Sequence, residues 1–348
     1  MTSHPPVFCS IVPPHVLERL ARSADPAVAE AARRTLAVDL TQRATRTERT
    51  APAPSESSTG KPRRTIYDAK NGTRLPGHQV LDEGEPPVTD GTANRAYAGL
   101  GATFDLFLNA FGHDSIDGAG LPLRATIHFD EKYDNAFWNG EQMVFGDGDG
   151  ELFLDFTIPV DVIGHELAHG FTQYSANLAY YGQSGALNEH VSDVFGSLVK
   201  QYALGQSAEQ ADWLIGAGLL GPAVDEGTAL RSMKAPGTAY DDDVLGKDPQ
   251  PAHMDHYVRT SSDNGGVHIN SGIPNHAFYL LATELGGNAW ERPGRIWYAT
   301  MTGGALTEEI RFDEFARATV TTARDLYGDG DVVEAVKRAW AGVGVTAS

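Results

Sequence analysis

His165-Glu166-Leu167-Ala168-His169 places two imidazoles four residues apart with a carboxylate beside the first. On a helix, positions i and i+4 share one face, so both rings can address one metal ion. Glu166 is turned about 100° away from that pair, which suits a neighbour of the metal's open position rather than a ligand. A hydrolytic zinc site then needs a third protein ligand, and a carboxylate is the expected type. Glu189, in the run Asn188-Glu189-His190-Val191-Ser192-Asp193, is the candidate. Asp193 lies one turn further on, where it can accept the free ring N–H of a ligand histidine.

The five-residue pattern alone also occurs on surface helices with two solvated histidines. Its surroundings argue against that reading. Val160-Asp161-Val162-Ile163 ahead and Gly170-Phe171-Thr172 behind mark a buried helix, where unpartnered polar side chains are costly. Glu189 and Asp193 sit on a second apolar helix, from Gly185 to about Leu204, with Val191, Val194, Phe195 and Leu198 interleaved.

The elements that must position these residues follow from the rest of the chain. Its 348 residues allow two domains or one large two-lobed unit. A net charge of −19, from 27 basic and 46 acidic residues, argues against nucleic acid or an anionic membrane as partner. No run of about 18 apolar residues exists to span a membrane. Met1-Thr2-Ser3-His4-Pro5-Pro6 lacks the basic start and apolar stretch of a standard secretory signal. Cys9 is the single cysteine, which rules out an internal disulfide framework. Within Phe8-Cys9-Ser10-Ile11-Val12 it reads as a small apolar residue in a packing strand. The sharper alternative, not preferred, is a thiolate at the zinc that holds a precursor inactive.

Residues 7–45 read as a short self-contained segment, with Pro13-Pro14 followed by Ala-, Arg- and Leu-rich helical stretches. Residues 46–64 are rich in Thr, Ser, Pro, Arg and Lys and read as an exposed linker and natural nicking site. Strands are expected at Arg64–Asp68, within Leu121–Phe129 and at Gln142–Phe145. Asn135–Gly140, between the last two, has turn character, and Gly146–Gly150 is a loop. Its carboxylates have the type to bind calcium, though a solvated turn is the preferred reading. After Val162 the pattern is mainly helical, ending with Glu308–Tyr327 and Asp331–Ala341, and no repeat is found. The sum is an α+β chain, a β-rich half then an α-rich half, with the metal helix at the join.

Four motifs in this order resemble the thermolysin-like neutral zinc metalloproteases. They are the zinc pattern, Gly185–Asp193, Asp134–Gly140 and Asp263–Gly272, and the resemblance runs from about Arg64 to Val345. The short front segment with Pro13-Pro14 is similar to the protealysin-like branch, whose front segment is a propeptide removed by self-cleavage. The resemblance implies a two-lobed fold with residues 1–50 as propeptide and intramolecular inhibitor and 51–63 as linker. Residues 64–184 would form the β-rich lobe with the zinc helix, and 185–348 the helical lobe. It implies His165, His169 and Glu189 as zinc ligands with water in the fourth position, and Glu166 as general base, then acid. His268 and Tyr180 would stabilise the oxyanion, with Asp263 orienting His268 and favouring its charged form. Asn188 and Asp193 would hold the ligand histidines. Asn135 and the backbone of Ala136 would bind an extended peptide by strand addition. Arg231 would bind the carbonyl next to the cut. Phe153, Val162, Ile215 and Leu230 would line the main specificity pocket, giving cleavage on the amino side of large apolar residues.

Further implications concern partners and cofactors. Peptide or protein substrates, a monomeric state and secretion are expected, the last without a visible standard signal and with a cytoplasmic life as the alternative. Lys200, Leu214 and Ala217 stand where the family's paired calcium site has acidic residues, leaving Asp161 and Asp212. A lysine opposes a divalent cation, so that pair is read as lost, with room for a single calcium elsewhere. Two other readings compete with this one. An exopeptidase would need a recognition cluster for a free terminus, which is not found. A catalytically dead zinc-binding protein would be expected to lack Glu166, His268 or Tyr180, and all three are present.

Overall fold

The computed structural model describes residues 9–46 and 60–347, so most of the expected linker falls outside the described residues. The front segment supplies β1 (Cys9–Ser10), α1 (Pro14–Leu20) and α2 (Pro26–Arg46). Then follow β2 (Arg64–Asp68), β3 (His78–Asp82), α3 (Gly91–Phe111), β4 (Leu123–Ile127), β5 (Ala136–Trp138) and β6 (Met143–Phe145). One mixed sheet takes them in the order β1-β5-β6-β4-β2-β3. Helix α3 carries the parallel connection from the β2–β3 pair to β4. Asp90 caps its start by accepting from the Thr92 N–H, and Gly112, at φ 69°, ends it.

Two expectations change here. Asn135–Gly140 is not a turn throughout, because Ala136–Trp138 form β5, paired with β6 on one side and β1 on the other. Only Asn139-Gly140 turns the chain. Three strand residues between turn-formers show no period, and pairing with neighbours decides their conformation. In Gly146–Gly150 the carboxylates are engaged internally rather than left to solvent. Asp147 Oδ1 lies 2.8 Å from His128 Nδ1, and Asp149 Oδ1 accepts the N–H groups of Glu151 (2.9 Å) and Leu152 (2.8 Å).

The remaining chain is helical, with α4 (Val160–Tyr174) and α5 (Gly182–Leu204) first. A short antiparallel pair, β7 (Leu214–Ile215) and β8 (Arg231–Ser232), precedes α6 (Asp263–Asn270), α7 (Gly272–Leu285), α8 (Arg292–Thr302), α9 (Phe312–Tyr327) and α10 (Asp331–Gly342). Helix α4 is buried continuously from Asp161 to Thr172, and α5 from Ser184 to Val199. Both are central. Helix α4 packs between the β1–β5–β6 edge of the sheet and α5, and α5 carries α6, α7 and α8 on its far side.

Two glycines let α4 and α5 approach at backbone distance. A Cβ on Gly164 would stand 3.1 Å from Gly196 Cα, and one on Gly196 would stand 2.6 Å from the Asp161 carbonyl oxygen. Glycine in a helix interior costs about 1 kcal/mol relative to alanine, so the close crossing is what the pair provides. Gly196→Ala should therefore destabilise by about 1–3 kcal/mol through overpacking, despite alanine's better helix propensity. Urea unfolding of the two proteins checks this, and a gain in stability would contradict the crossing.

Candidate active site

The crossing brings the three expected ligands together. His165 Nε2 lies 3.1 Å from His169 Nε2 and 3.6 Å from Glu189 Oε2. His169 Nε2 lies 3.6 Å from Glu189 Oε1. All three side chains are buried. The other ring nitrogens fix the tautomers. His165 Nδ1 donates to Asp193 Oδ1 at 2.8 Å, and His169 Nδ1 to Asn188 Oδ1 at 2.9 Å. Asn188 is oriented for this because its Nδ2 donates to the Leu178 carbonyl at 3.0 Å. With both protons on Nδ1, neutral rings turn two Nε2 lone pairs toward each other, an arrangement that asks for a cation between them. Glu189 Oε2 is buried with no hydrogen-bond partner. Burial alone would raise the Glu189 carboxyl, but the positive charge of His268 first, of His169 and His165 whenever no metal is bound and they are protonated, and then of Arg231, brings it down to about 2. A tetrahedral zinc with N and O ligands at about 2.0–2.1 Å keeps them about 3.3 Å apart. The donor set fits that ion.

Asp193 joins the metal ligands to a second group of residues. It accepts from Arg231 Nη2 (2.8 Å) and Nε (2.9 Å) and from Asn275 Nδ2 at 2.8 Å. Burial opposes its charge, yet Arg231 and His165 hold it below the usual carboxylate range. Asn275 Oδ1 faces His190 Nδ1 at 2.8 Å, and His190 Nε2 accepts from Trp297 Nε1 at 2.7 Å. Sequence reasoning missed Asn275, His190 and Trp297 as supports. The signal available was the Asn275-His276 pair near the head of α7, ahead of the apolar run Ala277–Ala282.

Glu166 Oε2 accepts the Trp138 N–H at 3.0 Å, so β5 positions it. Helix α6 opens with Asp263, Asn264, Gly265 and Gly266 at φ 52°, 50°, 84° and 78°. That left-handed run turns the chain so that His268 faces Glu189. Asp263 accepts from the His268 backbone N–H (2.9 Å) and faces its Nδ1 (2.6 Å). Burial would lower the His268 pKa, but Glu189 and Asp263 raise it to about 9. The Tyr180 hydroxyl donates to Glu189 Oε1 and lies 3.3 Å from His268 Nε2. Burial first, then Cys9, Glu189 and Asp263, push its phenol well above the ordinary value.

The chain's own residues 9–12 lie along this cleft. Cys9 pairs with Trp138 and Ser10 with Phe137, antiparallel. The Ile11 N–H donates to the Ala136 carbonyl at 3.1 Å, and the Val12 N–H to Asn135 Oδ1 at 2.9 Å. Arg231 Nη1 donates to the Ile11 carbonyl at 3.1 Å, and His268 Nε2 stands 3.3 Å from the Ser10 carbonyl oxygen. Ile11 and Val12 are buried in the same apolar cluster as Phe153, Val162, Ile215 and Leu230. Helix α2 holds the segment down. Asp39 accepts from Asn135 Nδ2 at 3.0 Å and from the Tyr133 hydroxyl, and Arg34 donates to Asp130. Cys9 is buried, as a packing residue would be, but its sulfur lies within 4.8 Å of ligand atoms of His169 and Glu189. Strand pairing across more than a hundred residues puts it there, which no local pattern encodes.

Asp161 and Asp212 prove to have a partner. Lys200 Nζ donates to Asp161 Oδ2 at 3.1 Å, to Asp212 Oδ2 at 2.8 Å and to the Leu214 carbonyl at 3.4 Å.

Residues 39–173 match the family described as thermolysin metallopeptidase, catalytic domain, and residues 176–345 match its alpha-helical domain. The chain belongs to the thermolysin family. It is 49% identical to an extracellular metalloprotease of Pectobacterium carotovorum subsp. carotovorum, over 99% of this chain and 98% of that protein. It is 40% identical to a thermolysin of Alicyclobacillus acidocaldarius subsp. acidocaldarius, over 80% of this chain and 50% of that protein. Among solved structures it is similar to the precursor of protealysin, a metalloproteinase from Serratia proteamaculans. That likeness has a TM-score of 0.89 at 50% identity, covering 97% of this chain and 100% of that one. This thermolysin-like chain is thus a zinc metalloendopeptidase with the two-lobed α+β fold. No helix among its described residues is long and apolar enough to cross a membrane.

Asp193→Ala would leave the buried Arg231 guanidinium unpaired and the His165 ring unheld. We expect a loss of about 3–5 kcal/mol in urea unfolding. Zinc affinity, read by competition with a chelator, should fall about 10–100-fold.

Proposed function

We propose that this thermolysin-like enzyme cuts peptide chains internally, on the amino side of large apolar residues, and that residues 1–50 are a propeptide it removes itself. The observation that carries this reading is the strand of residues 9–12 laid on β5. Its backbone meets the groups a peptide substrate would need: the Ser10 carbonyl faces His268, Arg231 grips the Ile11 carbonyl, and Ala136 and Asn135 take the next N–H groups. The residue following the carbonyl at His268 is apolar, in keeping with an apolar side chain on the departing side.

In this register each side chain has a task. Zinc held by His165, His169 and Glu189 would supply Lewis acidity at the carbonyl and acidify the attacking water. Glu166, steered by the Trp138 N–H, takes the water's proton and hands it to the departing amine. His268, kept charged by Glu189 and Asp263, and Tyr180 donate to the oxygen that gains negative charge. Arg231, Asn135 and Ala136 hold the peptide in line, so that little orientational freedom remains to be lost at the reaction step. Asp193 and Asn188 keep the Nε2 lone pairs of the ligand histidines aimed inward. Secretion, supported by relatives named as extracellular, and action as a monomer on peptide substrates complete the proposal.

Intact mass over time tests it, for wild type beside Glu166→Gln. The wild type should lose about the first 50 residues, at the exposed linker, while the variant stays full length. Cleavage of an end-blocked quenched peptide should fall about 10²–10⁴-fold in the variant. Equal trimming of both would assign the processing to another protease.

Calcium is proposed to be dispensable at the Asp161–Asp212 site, because Lys200 supplies the positive charge. Calcium-selective chelation with zinc retained should lower Tm less than it does in thermolysin itself. Lys200→Met should cost about 3 kcal/mol by stranding the buried Asp161 carboxylate. A large Tm drop on chelation would contradict the assignment.

A further inference from the structure

We infer that the Tyr133 hydroxyl and the Asn135 side-chain amide form a carboxylate subsite of the cleft, which takes an acidic group of the substrate near the second residue after the cut. The inference rests on the substrate register proposed above and adds a subsite to it. In the full-length chain the place is filled by Asp39 of α2. Asp39 Oδ1 accepts from the Tyr133 hydroxyl, and Oδ2 accepts from Asn135 Nδ2 at 3.0 Å. Asp39 is 6% exposed, Tyr133 1% and Asn135 0%. A carboxylate leaves water only where donors replace its hydration, and two donors of the peptidase lobe do so here.

Both donors are fixed by their own lobe, so they remain when the front segment leaves. The Tyr133 ring stands edge-on to Phe129, with centroids 5.4 Å apart, and to Phe137 at 6.0 Å. Its carbonyl accepts the Gly148 N–H at 3.2 Å. Asn135 Oδ1 accepts the Ala136 N–H at 3.0 Å and the Val12 N–H at 2.9 Å. That directs Nδ2 away from the strand and toward α2. In the proposed register Val12 is the second residue after the carbonyl at His268. The amide oxygen therefore holds that residue's N–H, while the nitrogen is left for an acceptor further along.

In the front segment that acceptor comes from a different stretch of chain. Beyond Val12 the strand ends at Pro13-Pro14, which carry no N–H, and α1 begins at Pro14. Helix α2 then returns to supply Asp39. A peptide substrate has no such helix, so the group that fits is a carboxylate of its own, from an acidic side chain or from the chain end. Hydrogen bonds to an ionised acceptor are roughly twice as strong as those to a neutral one. Both donors are uncharged, so discrimination against an amide in the same place should be about 10-fold in kcat/KM, the worth of one charge-assisted hydrogen bond.

The test compares three peptides, blocked at the amino end and alike through the second residue after the cut. One ends there as a free carboxylate, one ends there as an amide, and one continues with glutamate and then an amide. With the zinc-loaded enzyme that has shed its front segment, the short amide should be cut about 10-fold less efficiently than the better acidic peptide. Whichever acidic peptide leads tells a chain-end carboxylate from an acidic side chain. Tyr133→Phe keeps the ring, removes one donor and should erase most of the preference. Equal kcat/KM for all three peptides, or an unchanged preference in Tyr133→Phe, overturns the subsite. If no peptide is cut, the proposed reaction fails instead, and the subsite is judged on the full-length Glu166→Gln, Asp39→Ala chain. There formate should raise Tm more than chloride does at equal ionic strength, beyond any such rise in the Glu166→Gln chain, and Tyr133→Phe should abolish the difference. Absence of a formate-specific rise overturns the subsite independently of the reaction.

Discussion

The closeness of α4 and α5 is the constraint on which the rest depends. Zinc ligands must sit about 3.3 Å from one another, while ordinary helix pairs run 8–10 Å apart between axes. Gly164 and Gly196 remove the side chains that would hold the two backbones further apart at this crossing. His165 then reaches Asp193 and Glu189 directly, without longer side chains that would blur the geometry. The apolar residues around both helices exclude water, which strengthens every electrostatic contact between them.

The buried charges at the centre are better explained by placement than by stability. An ion pair such as Asp193–Arg231 is weak support for stability, because desolvation offsets most of its attraction. What it does here is geometric. Asp193 holds the ring of a zinc ligand on one side and the guanidinium that grips a peptide carbonyl on the other. Metal and substrate contacts are thereby referred to one carboxylate, itself oriented by Asn275. Lys200 follows similar logic further along α5, where one ammonium joins Asp161 of α4 to Asp212 of the following loop.

Strand β5 is the second shared element. Its inner side pairs with β6, its Trp138 N–H steers Glu166, and its outer side is free to pair with whatever strand arrives. In the full-length chain that strand is β1. An unpaired edge is ordinarily a hazard that proteins cover. Here the cover and the proposed substrate use the same hydrogen bonds, so a bound front segment and a bound peptide exclude each other.

Much of the site was legible without coordinates. His165 with His169, and Glu189 with Asp193, are related by helix periodicity, which local sequence determines through the 3.6-residue turn. The burial of both helices and the linker composition were equally local. The family resemblance added His268, Tyr180 and Arg231, whose positions in the chain say nothing of their proximity. What tertiary structure alone decided were contacts spanning long loops: Ala136–Trp138 as a strand, Asn275 under Asp193, Trp297 on His190, and Cys9 beside the metal ligands. The physical reason is common to all four. Spacing along a chain constrains only residues within a few turns of one another, whereas pairing between distant segments is selected by the packing of the whole core.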